Sequence, residues 1–380
     1  MKLSHDRILT THVGSLPRPD GLADLLLARE AGEPVDAEVF AATAREAVHE
    51  IVRKQVAIGI DIVSDGEMSK IGYSTYIKDR CSGFSGDSPR RPPADLARFP
   101  DFMEMQVHTN QAPPVKRPIC TGDIRVTNRA PLETDISNFR DALAGAGAVD
   151  AFMNASSPGV ISAFLPNEHY PNEDTYLEAL GEAMREEYEA IAGAGFVLQI
   201  DCPDLAMARH TQYKDLSDEA FVRQAARQVE VLNHALRNVP GEQCRMHICW
   251  GNYEGPHDFD IPLSRILEVL LNARPRVVSF EASNPRHAHE WQVWQDAVLP
   301  DDLVLMPGVI DTCTNYIEHP DYVAEKICRF ADIVGRERVL AGTDCGFSTF
   351  ARYGHVAAGI AFEKLGALVA GAEIASRRLW

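Results

Sequence analysis

The chain has 380 residues, 45% of them hydrophobic and 24% charged, with 37 basic against 55 acidic side chains and a formal net charge of −18. That balance fits a globular protein large enough for one big barrel or two ordinary domains, and the acidic surface excludes nucleic acid and anionic membrane as partners. No run of eighteen apolar residues offers a membrane span, Met1-Lys2-Leu3-Ser4-His5-Asp6-Arg7 lacks the apolar centre of a secretory signal, and the eight scattered cysteines read as reduced thiols of a cytoplasmic protein.

Strand-like apolar runs alternate with helical patterns along most of the length, the signature of a parallel sheet with crossover helices. The first run is Ile8–Ser15, stopped by Leu16-Pro17-Arg18-Pro19. Helical patterns cover 20–30 and 37–59, and a second run spans Ile60–Glu67. Residues 78–116, with Pro89-Arg90-Arg91-Pro92-Pro93, read as an excursion with the character of a lid. Residues 103–109 and 117–126 read as the two arms of a hairpin, so the excursion and its hairpin together cover 78–126.

The next strand falls at Phe152–Ser156, before Ser157-Pro158-Gly159. Helices at about 173–194, 217–237 and 262–272 precede strands ending in Gln199-Ile200-Asp201, Arg245–Trp250 and Val277–Glu281. Two further strands end at Asp311 and at Cys345, and a closing helix covers about 355–377. With the hairpin set aside there are eight strands, with tips near Ser15, Glu67, Ser157, Asp201, Cys249, Glu281, Asp311 and Cys345. The predicted fold is therefore a (β/α)8 TIM barrel, a single catalytic domain over 1–380 with the excursion after its second strand. The tips are polar or small and the strand bodies apolar, which places the site at the C-terminal rim.

In Arg245-Met246-His247-Ile248-Cys249-Trp250, the residues two apart share a face, so His247 and Cys249 project together. Imidazole, thiolate and carboxylate are the ligands zinc takes. His247, Cys249, Glu281 and Cys345 thus form a candidate zinc (Zn2+) set at the tips of the fifth, sixth and eighth strands. Other histidines, His210, His257, His287 and His289, read as loop or surface residues, one of which could serve as an acid.

These landmarks resemble the catalytic C-terminal barrel of the cobalamin-independent methionine synthase family. The matching pieces are His247-Ile248-Cys249, Ser279-Phe280-Glu281, Asp344-Cys345-Gly346, Gly14-Ser15 with Pro17, Gly66-Glu67, Gln199-Ile200-Asp201 with Pro203, and Gly308-Val309-Ile310-Asp311. They run from the first strand to the last in the family's order. The length matches the shorter single-barrel branch, which includes epoxyalkane:coenzyme M transferase. The resemblance implies that zinc holds an acceptor thiol as thiolate for alkyl transfer. It implies that Glu67 and Asp201 hold the ammonium of an acceptor such as homocysteine, and that Gly14 and Ser15 receive its carboxylate. Asp311 becomes a polar helper at the rim. A purely structural reading of Glu67 pairs it with Lys70.

Three positions depart from the family pattern. Its Ile-Asp-Glu-Pro is Ile200-Asp201-Cys202-Pro203 here, its proton-donating His falls on Cys313, and its Gly-Pro-Val-Thr strand is Ser157-Pro158-Gly159-Val160. The thiol-activating half is thus intact and the alkyl-donor half is altered. The expected activity is methyl transfer to a small-molecule thiol to form a thioether such as methionine, from an alkyl donor with a methylated folate among the candidates. Two rivals stand beside it: opening of an epoxide by the thiolate of coenzyme M, whose sulfonate would want Arg18, Lys70 or Arg209, and a non-catalytic zinc barrel. Self-association into a homo-oligomer is left open.

Overall fold

The structure, a computed structural model, describes residues 1–89, 92–109 and 115–380; residues 90–91 and 110–114 of the predicted excursion lie outside the described set. Eight parallel strands make one nearly closed barrel. They are β1 (Leu9–Thr10), β2 (Ile62–Val63), β3 (Asp150–Ser156), β4 (Val197–Asp201), β5 (Cys244–Ile248), β6 (Val277–Phe280), β7 (Val304–Ile310) and β8 (Leu340–Thr343). Hydrogen bonding runs β1-β8-β7-β6-β5-β4-β3-β2. The seam between β1 and β2 is bridged partly by side chains: Asp61 N–H donates to Thr10 O (3.2 Å), Thr10 N–H to Asp61 Oδ2 (2.8 Å) and Thr11 Oγ1 to Ile62 O (2.9 Å).

The outer helices follow the predicted periodicity closely, at Ala37–Ile58, Glu173–Gly193, Asp218–Ala235, Leu263–Leu271 and Ala358–Leu379. Their starts are set by chemistry the sequence shows. Asp36, Asn172 and Ser217 each accept a backbone N–H of the first turn through the side chain, a cap worth about 1 kcal/mol. Each helix buries its apolar stripe against the outside of the strands in one continuous core.

Inside the barrel the side chains form levels. The lowest is apolar: Leu9, Ile62, Phe152, Val197, Val277, Val304, Met306 and Leu340 pack together, with Met1 and Leu3 against them. The register then sets Asn154 beside Gln199 and Gln199 beside Arg245. Two residues on along the strands, it sets Ser156, Asp201, His247 and Ser279 side by side. Because side chains repeat every second residue, this upper level faces the same interior as the one below. Arg245 is fully buried; it donates to Gln199 Oε1, Thr11 Oγ1 and His12 O and lies 3.6 Å from the Phe152 ring centre.

The excursion differs from the expected hairpin. The arm expected at 103–109 lies within a helix, Pro100–Thr109, and the strand in the other arm, Ile119–Cys120, pairs antiparallel with Phe84–Ser85 instead. Pro100 at the first helical position and Asp101 in the first turn are favourable helix starters, which outweighed the short apolar pattern that suggested a strand. The excursion is fastened to the segment after β5: Tyr253 Oη and His257 N–H both donate to Asp95 Oδ2 (2.7 and 2.9 Å), and Arg98 pairs with Asp258.

Candidate metal centre

The upper level of the barrel delivers His247, and the chain leaving β5 delivers Cys249. The chain leaving β8 delivers Cys345, and one glycine makes that possible. A Cβ on Gly308 of β7 would sit 2.2 Å from Asp344 Oδ1 and 2.6 Å from Asp344 N, so only glycine lets the end of β8 come this close. One imidazole nitrogen and two sulfurs lie within 4.8 Å of one another. Cys249 Sγ and Cys345 Sγ are 3.6 Å apart. Two sulfurs bound at ~2.3 Å to one tetrahedral ion would be about 3.8 Å apart.

The surroundings prepare these groups as ligands. Ser279 Oγ lies 3.2 Å from His247 Nδ1 and sets the ring's orientation, while buried His247 Nε2 has no hydrogen-bond partner. Burial, and after it the charge of Arg245, lowers the His247 pKa to about 3, so the ring is neutral and its lone pair is available. Gly251 N–H donates to Cys249 Sγ at 3.1 Å. The Cys249 thiol is pushed well up by its bond to Cys345, then by burial, so in the empty protein it keeps its proton. A soft Cys/Cys/His set, with His247 and Cys249 buried, Cys345 half-buried and one nitrogen unsatisfied, fits zinc.

Glu281 stands outside the group of three. Its Oε1 accepts Trp250 N–H (2.8 Å) and its Oε2 accepts Asn284 Nδ2 (2.6 Å). The turn that carries it is tied to β8: Asp344 accepts the backbone N–H groups of Ala282, Ser283 and Asn284, each at 2.8 Å.

Beside the thiols the resemblance-derived residues occupy buried positions. Glu67 has a left-handed backbone (φ 58°), a strained state for a non-glycine residue held here by Asp65, whose Oδ1 accepts Glu67 N–H, and by Arg18, whose Nε donates to Glu67 O. Its pairing is with Arg18 (3.9 Å) and not with Lys70, which donates its Nζ to Asn154 O. Glu67 Oε2 has no hydrogen-bond partner, and burial pushes its carboxyl up to about 8. Asp201 accepts from Asn154 Nδ2 (3.0 Å) and Gln199 Nε2 (2.8 Å), and burial raises it to about 6. Gly14 and Ser15 pack against the Cys345 turn: Phe347 N–H donates to Ser15 O, and a Cβ on Gly346 would fall 2.0 Å from Ser15 Oγ.

Asp311 is committed to its own turn, accepting Cys313 N–H (2.7 Å) and Thr314 Oγ1 (2.9 Å). Tyr73, five residues before the excursion and at the start of the turn Tyr73–Asp79, was not among the residues the sequence pointed to. Burial pushes its hydroxyl well up, and Asp201, Cys249, Cys345 and Glu67 add to the rise, so it keeps its proton.

Three of the four remaining histidines are not surface residues. His210, His257 and His287 are buried around Asp260, with ring nitrogens 3.1, 3.0 and 2.9 Å from its oxygens, and only His289 is exposed. His287 stacks on Trp250 at 4.0 Å and also bonds Glu290 (2.9 Å). Asp260 and Glu290 raise the His287 pKa to about 10 against the effect of burial, so it carries a positive charge.

The family profile described as cobalamin-independent synthase, catalytic domain, matches residues 8–361. A methionine synthase of Thermococcus kodakarensis is 26% identical over 374 residues, covering 97% of this chain and 94% of that protein. One from Sulfolobus acidocaldarius is 25% identical, covering 97% and 93%. Among solved structures, a B12-independent methionine synthase from Shewanella sp. W3-18-1 in complex with selenomethionine superposes with a TM-score of 0.71 at 20% identity, over 98% of this chain and 99% of that one. Among the described residues no helix is long and apolar enough to cross a membrane.

Proposed function

The chain belongs to the cobalamin-independent methionine synthase family and is a methyltransferase, and from that premise we propose that it methylates a zinc-activated thiol, homocysteine being the acceptor that its acidic pocket suits. The carrying observation is the convergence of His247, Cys249 and Cys345 on one point, with His247 Nε2 unsatisfied. Zinc, when bound, would keep the acceptor sulfur as a thiolate at neutral pH, where a free thiol of pKa about 8.5 is mostly protonated. Glu281 would complete the protein's ligand set by turning from Asn284 while Trp250 N–H retains its other oxygen.

The rest is done by the chain's own residues. Glu67 and Asp201 would take the acceptor's ammonium. Glu67, neutral in the empty protein, ionises as that cation arrives, because an opposite charge favours the carboxylate. Ser15 and the backbone beside it would meet the acceptor's carboxylate. Tyr73, with its proton retained, would cover the sulfur. Asp311 shapes the rim by fixing the turn that carries Cys313. A sulfonate-bearing thiol has less support, because Arg209 is paired with Asp218, Lys70 donates to Asn154 O, and Arg18 gives Nε to Glu67 O and Nη1 to Ser348, leaving it one buried nitrogen, Nη2, without a hydrogen bond. Anaerobic metal analysis should find one zinc per chain, and homocysteine should shift the visible spectrum of the cobalt-substituted protein. Full metal content and activity in Cys249→Ser, or a spectrum indifferent to the thiol, would overturn the reading.

A further inference from the structure

Below the metal centre, one buried cation sorts the groups around the acceptor pocket. Arg245 stands two residues before His247 on β5, so both side chains face the barrel interior. It is fully buried, and among the described residues its hydrogen bonds go to neutral groups. Nε donates to Gln199 Oε1 (2.7 Å), Nη1 to Thr11 Oγ1 (3.1 Å) and Nη2 to His12 O (2.9 Å). A guanidinium only donates, so the Gln199 amide must turn its oxygen to Arg245 and its nitrogen away. That nitrogen donates to Asp201 Oδ1 (2.8 Å) and to Val13 O. Asn154, on the neighbouring strand, repeats the pattern: its Nδ2 donates to Asp201 Oδ2 (3.0 Å) and to Val13 O (2.7 Å). Each oxygen of Asp201 is thereby held by an amide N–H. The same level of side chains holds the segment that leaves β1. There Gly14 N–H donates to His12 Nδ1 (3.1 Å), and a Cβ on Gly14 would fall 2.3 Å from Asn154 Oδ1.

Asp201 and the Gly14–Ser15 turn are the places proposed for the acceptor's ammonium and carboxylate. They belong to β4 and to the chain leaving β1, strands that do not hydrogen-bond to each other. The sheet does not join them directly; Arg245, Gln199 and Asn154 do, across the interior. The sulfur end of the acceptor is left to other residues, His247, Cys249 and Cys345. We propose that Arg245 is a positioning residue that makes the site selective for thiols with an α-amino-acid end. It orients the Gln199 amide toward Asp201 and anchors Thr11 and His12, which sets the distance between the ammonium and carboxylate positions. The inference rests on the thiol-activation reading above. Arg245 itself touches no part of the acceptor in this arrangement; it acts through Gln199 and through the backbone that leads to Ser15.

The test titrates the cobalt-substituted protein, followed by its visible spectrum, with homocysteine and with 1-propanethiol, which ends at the same α-carbon without either charged group. Arg245→Met keeps an unbranched side chain and removes every donor. It should weaken homocysteine binding about 10–100-fold, the scale of one hydrogen bond to a charged group. Binding of propanethiol should change by less than about threefold, as for an independent site. Gln199→Glu keeps an oxygen for the guanidinium and removes the N–H given to Asp201. It should fold even if Arg245→Met does not, because an ion pair replaces the lost bond, and it should show the same selective loss. Equal losses for the two thiols would make Arg245 a support of the metal centre only, and an unchanged homocysteine affinity would deny it any part in recognition; either result in Gln199→Glu overturns the proposal. If homocysteine shifts the wild-type spectrum and the variants bind it as tightly, this inference alone falls; if the shift itself is missing, the thiol-activation reading falls first.

Discussion

Two histidine-bearing clusters meet at the end of β5, one of His247, Cys249 and Cys345, the other of His210, His257 and His287 around Asp260. In the second, each of the six ring nitrogens has an oxygen within 3.4 Å. In the first, a buried ring nitrogen has no partner and two thiols have chiefly one another. Both are largely buried, with Cys345 half-buried, and both are rich in metal-binding residue types. The difference teaches that composition alone does not mark a site: around Asp260 every ring nitrogen but His210 Nδ1, which lies 3.1 Å from an equally unbonded Asp260 Oδ1, has its hydrogen bond, whereas the unsatisfied nitrogen and the two thiols of the first cluster converge on one point. Want of a partner is not enough either. Trp294 Nε1 also lacks one, and Trp294 belongs to the apolar core.

The sharpest break of the comparison is Cys249→Ser. It should abolish transfer and weaken zinc binding by at least about 100-fold, the upper end for losing even an outer partner, as measured by chelator competition. Asp260→Asn should do the reverse. Leaving charged His287 without one of its two anions should cost about 3–5 kcal/mol of stability in denaturant, while zinc affinity of the folded protein stays within about tenfold. Comparable loss of zinc in that variant would show that the two clusters are one.

Glu67 extends the first cluster's character, since its Oε2 is also unsatisfied. Its carboxyl is near 8 when folded against an ordinary 4.5, so the folded state binds the extra proton between those values. The metal-free, acceptor-free protein should therefore lose stability as pH rises from about 5 to about 8. Glu67→Gln should remove roughly 2–4 kcal/mol of that slope; an unchanged slope in thermal melts would place the titration elsewhere. Ser279→Ala is the mildest test, expected to lower zinc affinity about tenfold by freeing the His247 ring, with the stability of the Asp260 cluster unaltered.

Much of the barrel was legible because strand bodies are apolar and tips polar, and because Asp36, Asn172 and Ser217 announce their helices. The pairing of His247 with Cys249 followed from a strand's two-residue repeat. The excursion was misjudged where Pro100 and Asp101 start a helix, since a short apolar run has no period of its own. Tyr73 carried no local signal, since it stands in no strand tip and no matching motif. The three histidines around Asp260 come from segments as far apart as 210 and 287, and no spacing rule announces such a meeting. Glu281 shows the same limit from the other side: its position at a strand tip was readable, but its prior bonds to Trp250 and Asn284 were not.

Asp344 has a consequence for engineering. Its carboxylate grips three consecutive peptide groups of the Glu281 turn while its own neighbour supplies a sulfur. Glu281 on one strand and Cys345 on the next but one are thereby joined by a single rigid yoke. Anyone transplanting this centre into another eightfold barrel would have to move the yoke whole, with Gly308 beneath it. Glu281 and Cys345 grafted without it would arrive at the right addresses but with no fixed spacing.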